Sequence, residues 1–166
     1  MPARNNAELT AMLMPIASNV IKSASLDMIE MLANDIMEYT YEFGGLPNAY
    51  YYNGSGMPTF QFLEAFKLTD IEKNMNQAAT KIFYDWAGMD YDPTTYLHGN
   101  PFSGDVREQL ADILNIDGEA GWMTKARKPY WDIFIKQILD DGGAEKLFDR
   151  YMSEEFGKIG IRVVRG

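Results

Sequence analysis

From Asn19 onward, Ile21, Ala24, Met28, Leu32 and Ile36 recur at steps of three or four residues, with Lys22, Asp27, Glu30, Asn34 and Glu38 between them. That spacing gathers the apolar side chains into one stripe and predicts an amphipathic helix that ends near Glu38. The period then changes to two. Tyr39, Tyr41 and Phe43 alternate with Thr40 and Glu42, which reads as a half-buried strand stopped by Gly44-Gly45. Further apolar stretches at Phe60, Phe62, Phe66 and Leu68, and at Ile82-Phe83-Tyr84, read as additional strands of a small antiparallel sheet.

Helical signals return in the second half. Asp105 and Glu108 form a capping-box-like pair ahead of an apolar face of Val106, Leu110, Ile113 and Leu114. Pro129 opens the next helix, where its missing N–H costs nothing. Trp131, Phe134, Ile135, Ile138 and Leu139 line that helix, and Gly142-Gly143 stops it. Leu147, Phe148, Tyr151, Met152 and Phe156 mark a further helix, and Ile159–Val164 reads as a closing strand. The order is α+β: a long N-terminal helix and C-terminal helices packed on a small antiparallel sheet. Residues 1–18, with Pro2 and Pro15, read as an N-terminal arm or a short turn of helix, and 19–166 as a single α+β domain.

Composition narrows the function. With no cysteine in 166 residues there is no disulfide, thiolate metal site or cysteine nucleophile. Fifteen Lys+Arg against 24 Asp+Glu leave a net charge of −9, which a nucleic-acid backbone or an anionic membrane repels. No apolar run approaches the roughly 20 residues of a membrane helix, and no signal peptide is readable. The expectation is therefore a protein without a membrane, in a cytoplasm.

Chemistry is hard to assemble from what remains. His98, the only histidine, lies in the long loop Asp90–Gly104 beside Gly99, where no nearby motif orients it. Asp90, Asp92 and Asp105 fail the calcium-loop pattern, because the sixth position from Asp90 is Thr95 and the twelfth Phe102. Ser55 lacks the flanks of a nucleophile elbow, and Gly54 and Gly56 are not followed by the rest of a dinucleotide fingerprint. Glu64, Asp70 and Glu72 could pair as acid and nucleophile only if the fold brought them together. We expect no catalytic residue, no metal and no cofactor.

The aromatic load points elsewhere. Ten tyrosines, nine phenylalanines and three tryptophans exceed what a small core must hold, and Tyr50, Tyr51 and Tyr52 fall in a turn-rich loop. Tyr91, Tyr96, His98 and Phe102 of the long loop, and the basic group Lys125, Arg127 and Lys128, complete the candidate subunit-interface residues.

Three stretches carry a resemblance. His98-Gly-Asn-Pro-Phe-Ser-Gly104 running on to Ile113, Gly121-Trp122 running on to Pro129-Tyr130-Trp131, and Gly157-Lys-Ile-Gly160-Ile-Arg-Val resemble the tail-completion, or head–tail joining, proteins of tailed bacteriophages. The resemblance covers residues 20–164 and implies a virion structural protein of the neck or tail, not an enzyme. It implies a homo-oligomeric ring, with a hexamer favoured, that contacts the phage connector and tail-tube proteins. DNA would be only passing cargo. Assembly would take place in the host cytoplasm. A small adaptor module, or a hydrolase built on scattered carboxylates and His98, is the alternative.

Overall fold

The computed structural model describes residues 5–42, 61–74, 77–89, 106–115 and 128–163. It is mostly helical, with a small antiparallel sheet of few strands, and so belongs to the α+β class. Helix α1 (Asn6–Ile36) continues as a π-helical stretch, Met37–Glu42. Helix α2 (Gln61–Glu64), strands β1 (Phe66–Leu68), β2 (Glu72–Lys73), β3 (Ala78–Ala79) and β4 (Ile82–Tyr84), and a 3₁₀ turn at Trp86–Gly88 follow. Helices α3 (Val106–Leu114), α4 (Tyr130–Ile135) with a π-helical continuation Lys136–Asp140, and α5 (Gly143–Lys158) complete the order.

Helix α1 starts earlier than its apolar stripe does. Asn5 accepts the Glu8 N–H through its side chain at 2.9 Å, an N-cap with a glutamate at the third helical position. Residues 6–18, read from Pro2 and Pro15 as an arm, are therefore the first turns of the helix. Pro15 sits inside α1 without a hydrogen-bonding N–H. The end differs as well. The stripe of Val20, Ala24, Met28, Leu32 and Ile36 is buried, and Thr40 extends it by one more step of four, so no strand forms at 39–42. By length and hydropathy alone, Asn6–Thr40 contains an 18-residue window apolar enough to cross a membrane, which the sequence reading did not anticipate. Core helices of water-soluble proteins meet the same measure.

The chain divides into two compact units. The first joins residues 1–29, 68–82 and 137–166. Within it α1 and α5 run antiparallel: Asn19 donates to Glu155 at 3.0 Å, while Asp27 accepts from Arg150 and, at 2.9 Å, from the Tyr151 hydroxyl. The pairings advance along α1 as they retreat along α5. Gly142, in the left-handed region at φ 72°, turns the chain between the preceding helix and α5. Leu139, placed on the apolar side by its spacing, points outward and is 66% exposed, while Ile138 is buried. The π-helical winding of 136–140 rotates these positions away from an α-helical stripe.

The strands form one bulged ribbon. Asp85 N–H bonds the Ala65 carbonyl at 2.7 Å and Thr69 N–H the Lys81 carbonyl at 2.9 Å, so β1 and β4 are antiparallel. Further out, Glu72 faces Ala79 and Lys73 faces Ala78. Three steps on the first strand thus match two on the second, which places one extra residue between Thr69 and Glu72, a β-bulge. Side chains stitch it: the Thr80 hydroxyl donates to the Thr69 carbonyl at 2.7 Å, and Lys81 N–H to the Thr69 hydroxyl at 3.0 Å.

Among the described residues no closing strand follows α5. Residues 159–160 form a turn and 161–163 have no regular structure. Helix α5 ends in a Schellman motif, with Gly160 at φ 76°, its N–H on the Gly157 carbonyl (3.0 Å) and the Ile161 N–H on the Phe156 carbonyl (2.9 Å). A strand needs a partner strand, and among the described residues none lies beside this segment.

Candidate functional site

The second unit, residues 30–67 and 83–136, is organised by rings. Phe62 on α2 is 1% exposed and meets Phe66, Tyr84 and Tyr130 edge-on, at centroid distances of 5.5, 5.7 and 6.0 Å. Phe66 also stacks on Trp131 at 6.3 Å, and Trp131 contacts Phe134 at 5.6 Å. Edge-on pairs set the positive rim of one ring against the negative face of another, so the cluster gains specificity as well as buried area.

Polar contacts bind α3 and α4 to that cluster. The Tyr84 hydroxyl donates to the Arg107 carbonyl at 2.6 Å, and Arg107 returns a bond from Nη1 to the Met89 carbonyl at 3.0 Å. The Arg107 guanidinium also lies 5.8 Å from the Trp86 ring centre, a cation–π contact. The Tyr130 hydroxyl donates to the Ala111 carbonyl at 3.0 Å. Pro129 has no side chain with which to cap α4, and Asn115 supplies the acceptor instead, taking the Trp131 N–H at 2.8 Å. Neither Arg107 nor Asn115 stood out in the sequence. Asn115 gave a weak signal as a capping-type residue just beyond an apolar helical face.

Of the candidate interface residues, Lys128 is described. It is exposed, with its Nζ 5.7 Å from the Tyr39 ring centre. Burial, and then the neighbouring Glu38 carboxylate, raise the Tyr39 phenol above its ordinary value, so it stays neutral beneath the ammonium. Tyr50, Tyr51, Tyr52, Tyr91, Tyr96, His98, Phe102, Lys125 and Arg127 lie outside the described residues, as do Ser55, Asp90, Asp92 and Asp105. The described residues that flank their segments, Glu42 and Gln61, Met89 and Val106, Asn115 and Lys128, all belong to the second unit. The segments that carry these candidates are thus flanked in the chain by residues of the second unit.

All three carboxylates considered for hydrolysis are exposed. Glu64 ends α2 in the second unit, whereas Asp70 and Glu72 are exposed on the ribbon in the first. Among the described residues no group of three or more His, Cys, Asp or Glu could hold a metal ion. A depression of about 210 Å³ at the ribbon tip is lined by Glu72, Lys73, Asn74, Gln77 and Ala79, all exposed, and buries no polar group for a ligand to meet.

Large apolar side chains stay exposed toward both ends of the α1–α5 pair, with Leu26 at 49% and Leu139 at 66% toward the end where α5 begins. Because Asn19 sits opposite Glu155, the turns of α1 before Asn19 lie toward the end where α5 stops. Leu9 and Met12 are 44% and 46% exposed there, and Ile159, Ile161 and Val163 are 51%, 48% and 40% exposed. Beside them Lys158, with Asn19, holds the largely covered Glu155 carboxyl below the usual range.

Comparison with known proteins gives no family. No family model matches the chain, and neither a curated protein nor a solved structure matches it.

Proposed function

We propose that this protein is a structural component of a bacteriophage neck or tail, a tail-completion or head–tail joining subunit that acts by assembly and not by turnover. The observation that carries the reading is that seven large apolar side chains of the first unit, Leu9, Met12, Leu26, Leu139, Ile159, Ile161 and Val163, stay 40% or more exposed. Large exposed apolar patches mark protein contact surfaces, and a subunit of a closed ring must bury surface against two neighbours. The resemblance of residues 20–164 to head–tail joining proteins supplies the biological setting, in which a hexameric ring would meet the connector and the tail tube. Lys128 and the aromatic segments tethered to the second unit would add a further contact surface.

Light scattering on a sizing column across a concentration series tests the reading. The chain is 18.9 kDa, so a closed ring separates cleanly from a monomer. Discrete multimers that dissociate when Leu9 and Met12 are both changed to Asp support it. A chain that stays monomeric at every concentration, with and without purified connector and tail-tube proteins, refutes it.

A further inference from the structure

The solvent-facing side of α1 carries a ridge at steps of four, Lys22, Leu26, Glu30 and Asn34, all of them exposed. Leu26 is 49% exposed and has a charge of opposite sign four residues to either side. At 1.5 Å of rise per residue, Lys22 and Glu30 stand about 12 Å apart along the helix, too far to pair with each other. Neither forms an ion pair among the described residues. Ser23 and Ile29, half-buried, flank the ridge three residues before and after Leu26. About Leu26 the pattern is therefore reciprocal, with base against acid at four residues and small against large at three.

We propose that this ridge docks on the same ridge of a second copy running in the opposite direction, with Leu26 on the two-fold axis. The inference deepens the assembly reading and rests on it, giving one of the exposed apolar side chains its partner. Reversing the direction exchanges the positions before and after Leu26, so Lys22 and Ser23 of each copy meet Ile29 and Glu30 of the other. The ammonium reaches the carboxylate, the lysine stem covers the isoleucine, and the serine leaves room for both. Local charge complementarity selects the occupant: a ridge of one sign would repel its own copy, whereas this one attracts it, and only when antiparallel. A two-fold contact requires such a self-complementary patch, in which residue i meets j and j meets i. Ridges at steps of four interdigitate in the commonest class of helix pair, whose steep crossing confines contact to the turns around Leu26. The contact joins two subunits, or two rings of subunits, back to back.

Charge reversal tests the contact at exposed positions, away from the core. Lys22→Glu places four carboxylates in the contact and Glu30→Lys four ammonium groups. Each chain alone should associate at least tenfold more weakly and sediment at half the parent's mass, with an unchanged helical circular-dichroism signal. Mixed one to one, the two should regain the parent's mass, because each supplies the sign that the other lacks. The absence of cysteine adds a second readout. Leu26→Cys chains should form disulfide-linked pairs on mild oxidation at least tenfold faster than Asp112→Cys chains, a control on the exposed face of α3. Charge-reversed chains that associate like the parent, with equal cross-linking rates, overturn the two-fold contact; the assembly reading then stands if changing Leu9 and Met12 to Asp still dissociates the multimer. A parent chain that never associates overturns both.

Discussion

Replacing Phe62 by alanine removes the ring at the centre of the aromatic cluster, where it is 1% exposed and touches three other rings edge-on. A buried Phe→Ala change costs about 3–5 kcal/mol, the sum of lost transfer energy and the cavity left behind. The upper end applies here, because Phe66, Tyr84 and Tyr130 come from separate elements and cannot all collapse into one void. Such a loss is a large share of the roughly 5–15 kcal/mol that stabilises a typical domain. With a urea slope of about 2–3 kcal/mol/M, the midpoint falls by about 2 M. The assay is urea unfolding followed by tryptophan fluorescence, since Trp86 and Trp131 both lie in the same unit as Phe62. Phe83→Ala is the matched control: Phe83 is 41% exposed, and its loss should cost about 1 kcal/mol or less. If the two variants shift the midpoint equally, the ring cluster is not the core of this unit and the argument fails.

Gly143→Ala should destabilise by about 1–3 kcal/mol, because a Cβ there would lie 2.6 Å from the backbone carbonyl oxygen of Gln137. Gly142→Ala meets open space and should cost only about 1 kcal/mol for its positive φ, so thermal melts should rank the two variants in that order. Thr40→Val should raise stability by up to about 1 kcal/mol, because the Thr40 hydroxyl is buried without a hydrogen-bond partner among the described residues; a loss in chemical denaturation would contradict this. Burial and, next, the bond to Asp27 raise the Tyr151 phenol, so Asp27→Asn should move its titration part-way back to the ordinary value, as read by ultraviolet absorbance. Hydrogen bonds from Lys67 and Lys158 hold the Asp85 and Glu155 carboxyls below their ordinary values. Their contribution is complete above the unfolded carboxylate value of about 4 and is lost as pH falls through the lower folded values. An acid titration of stability should therefore decline less steeply in Glu155→Gln than in the parent, and equal slopes would remove the ion pair from the account.

The helical stripe from Ala24 to Ile36 was legible because burial repeats at the spacing of a helix face, although its buried start is Val20 and not the expected Ile21, which is half-buried. Thr40 hid its continuation. It occupies the next stripe position but is polar, so the alternation of Tyr39 and Tyr41 dominated the reading and suggested a strand. At the other end the capping pair Asn5 and Glu8 was present in the sequence, yet Pro15 outweighed it as a breaker. Phe60 and Phe62 misled in the same way: alternation over so short a stretch does not separate a strand from the single turn of helix at 61–64. The segment Ile159–Val163 shows a different limit. Its pattern is that of a strand, but pairing belongs to two segments, and one segment's sequence cannot name the other. Within the site, Tyr84, Arg107 and Met89 converge through backbone carbonyls, which leave no trace in residue identity. Of the interface candidates, the reading can be followed in space at Lys128.

The bulge between Thr69 and Glu72 has a consequence for solution behaviour. A two-stranded ribbon has no third strand on either side, and an edge of that kind can pair with an extended apolar segment, the start of open-ended stacking in which each copy templates the next into a fibre. A flat edge running the whole ribbon would accept such a segment in several registers. The extra residue instead twists the ribbon and divides its first strand into the three residues of β1 and the two of β2. A visiting strand then finds only one short run of aligned main-chain groups before the edge turns away. The bulge thus acts as a gatekeeper against amyloid-like growth, and deleting Asp70 to straighten the ribbon should lower the concentration at which the protein precipitates.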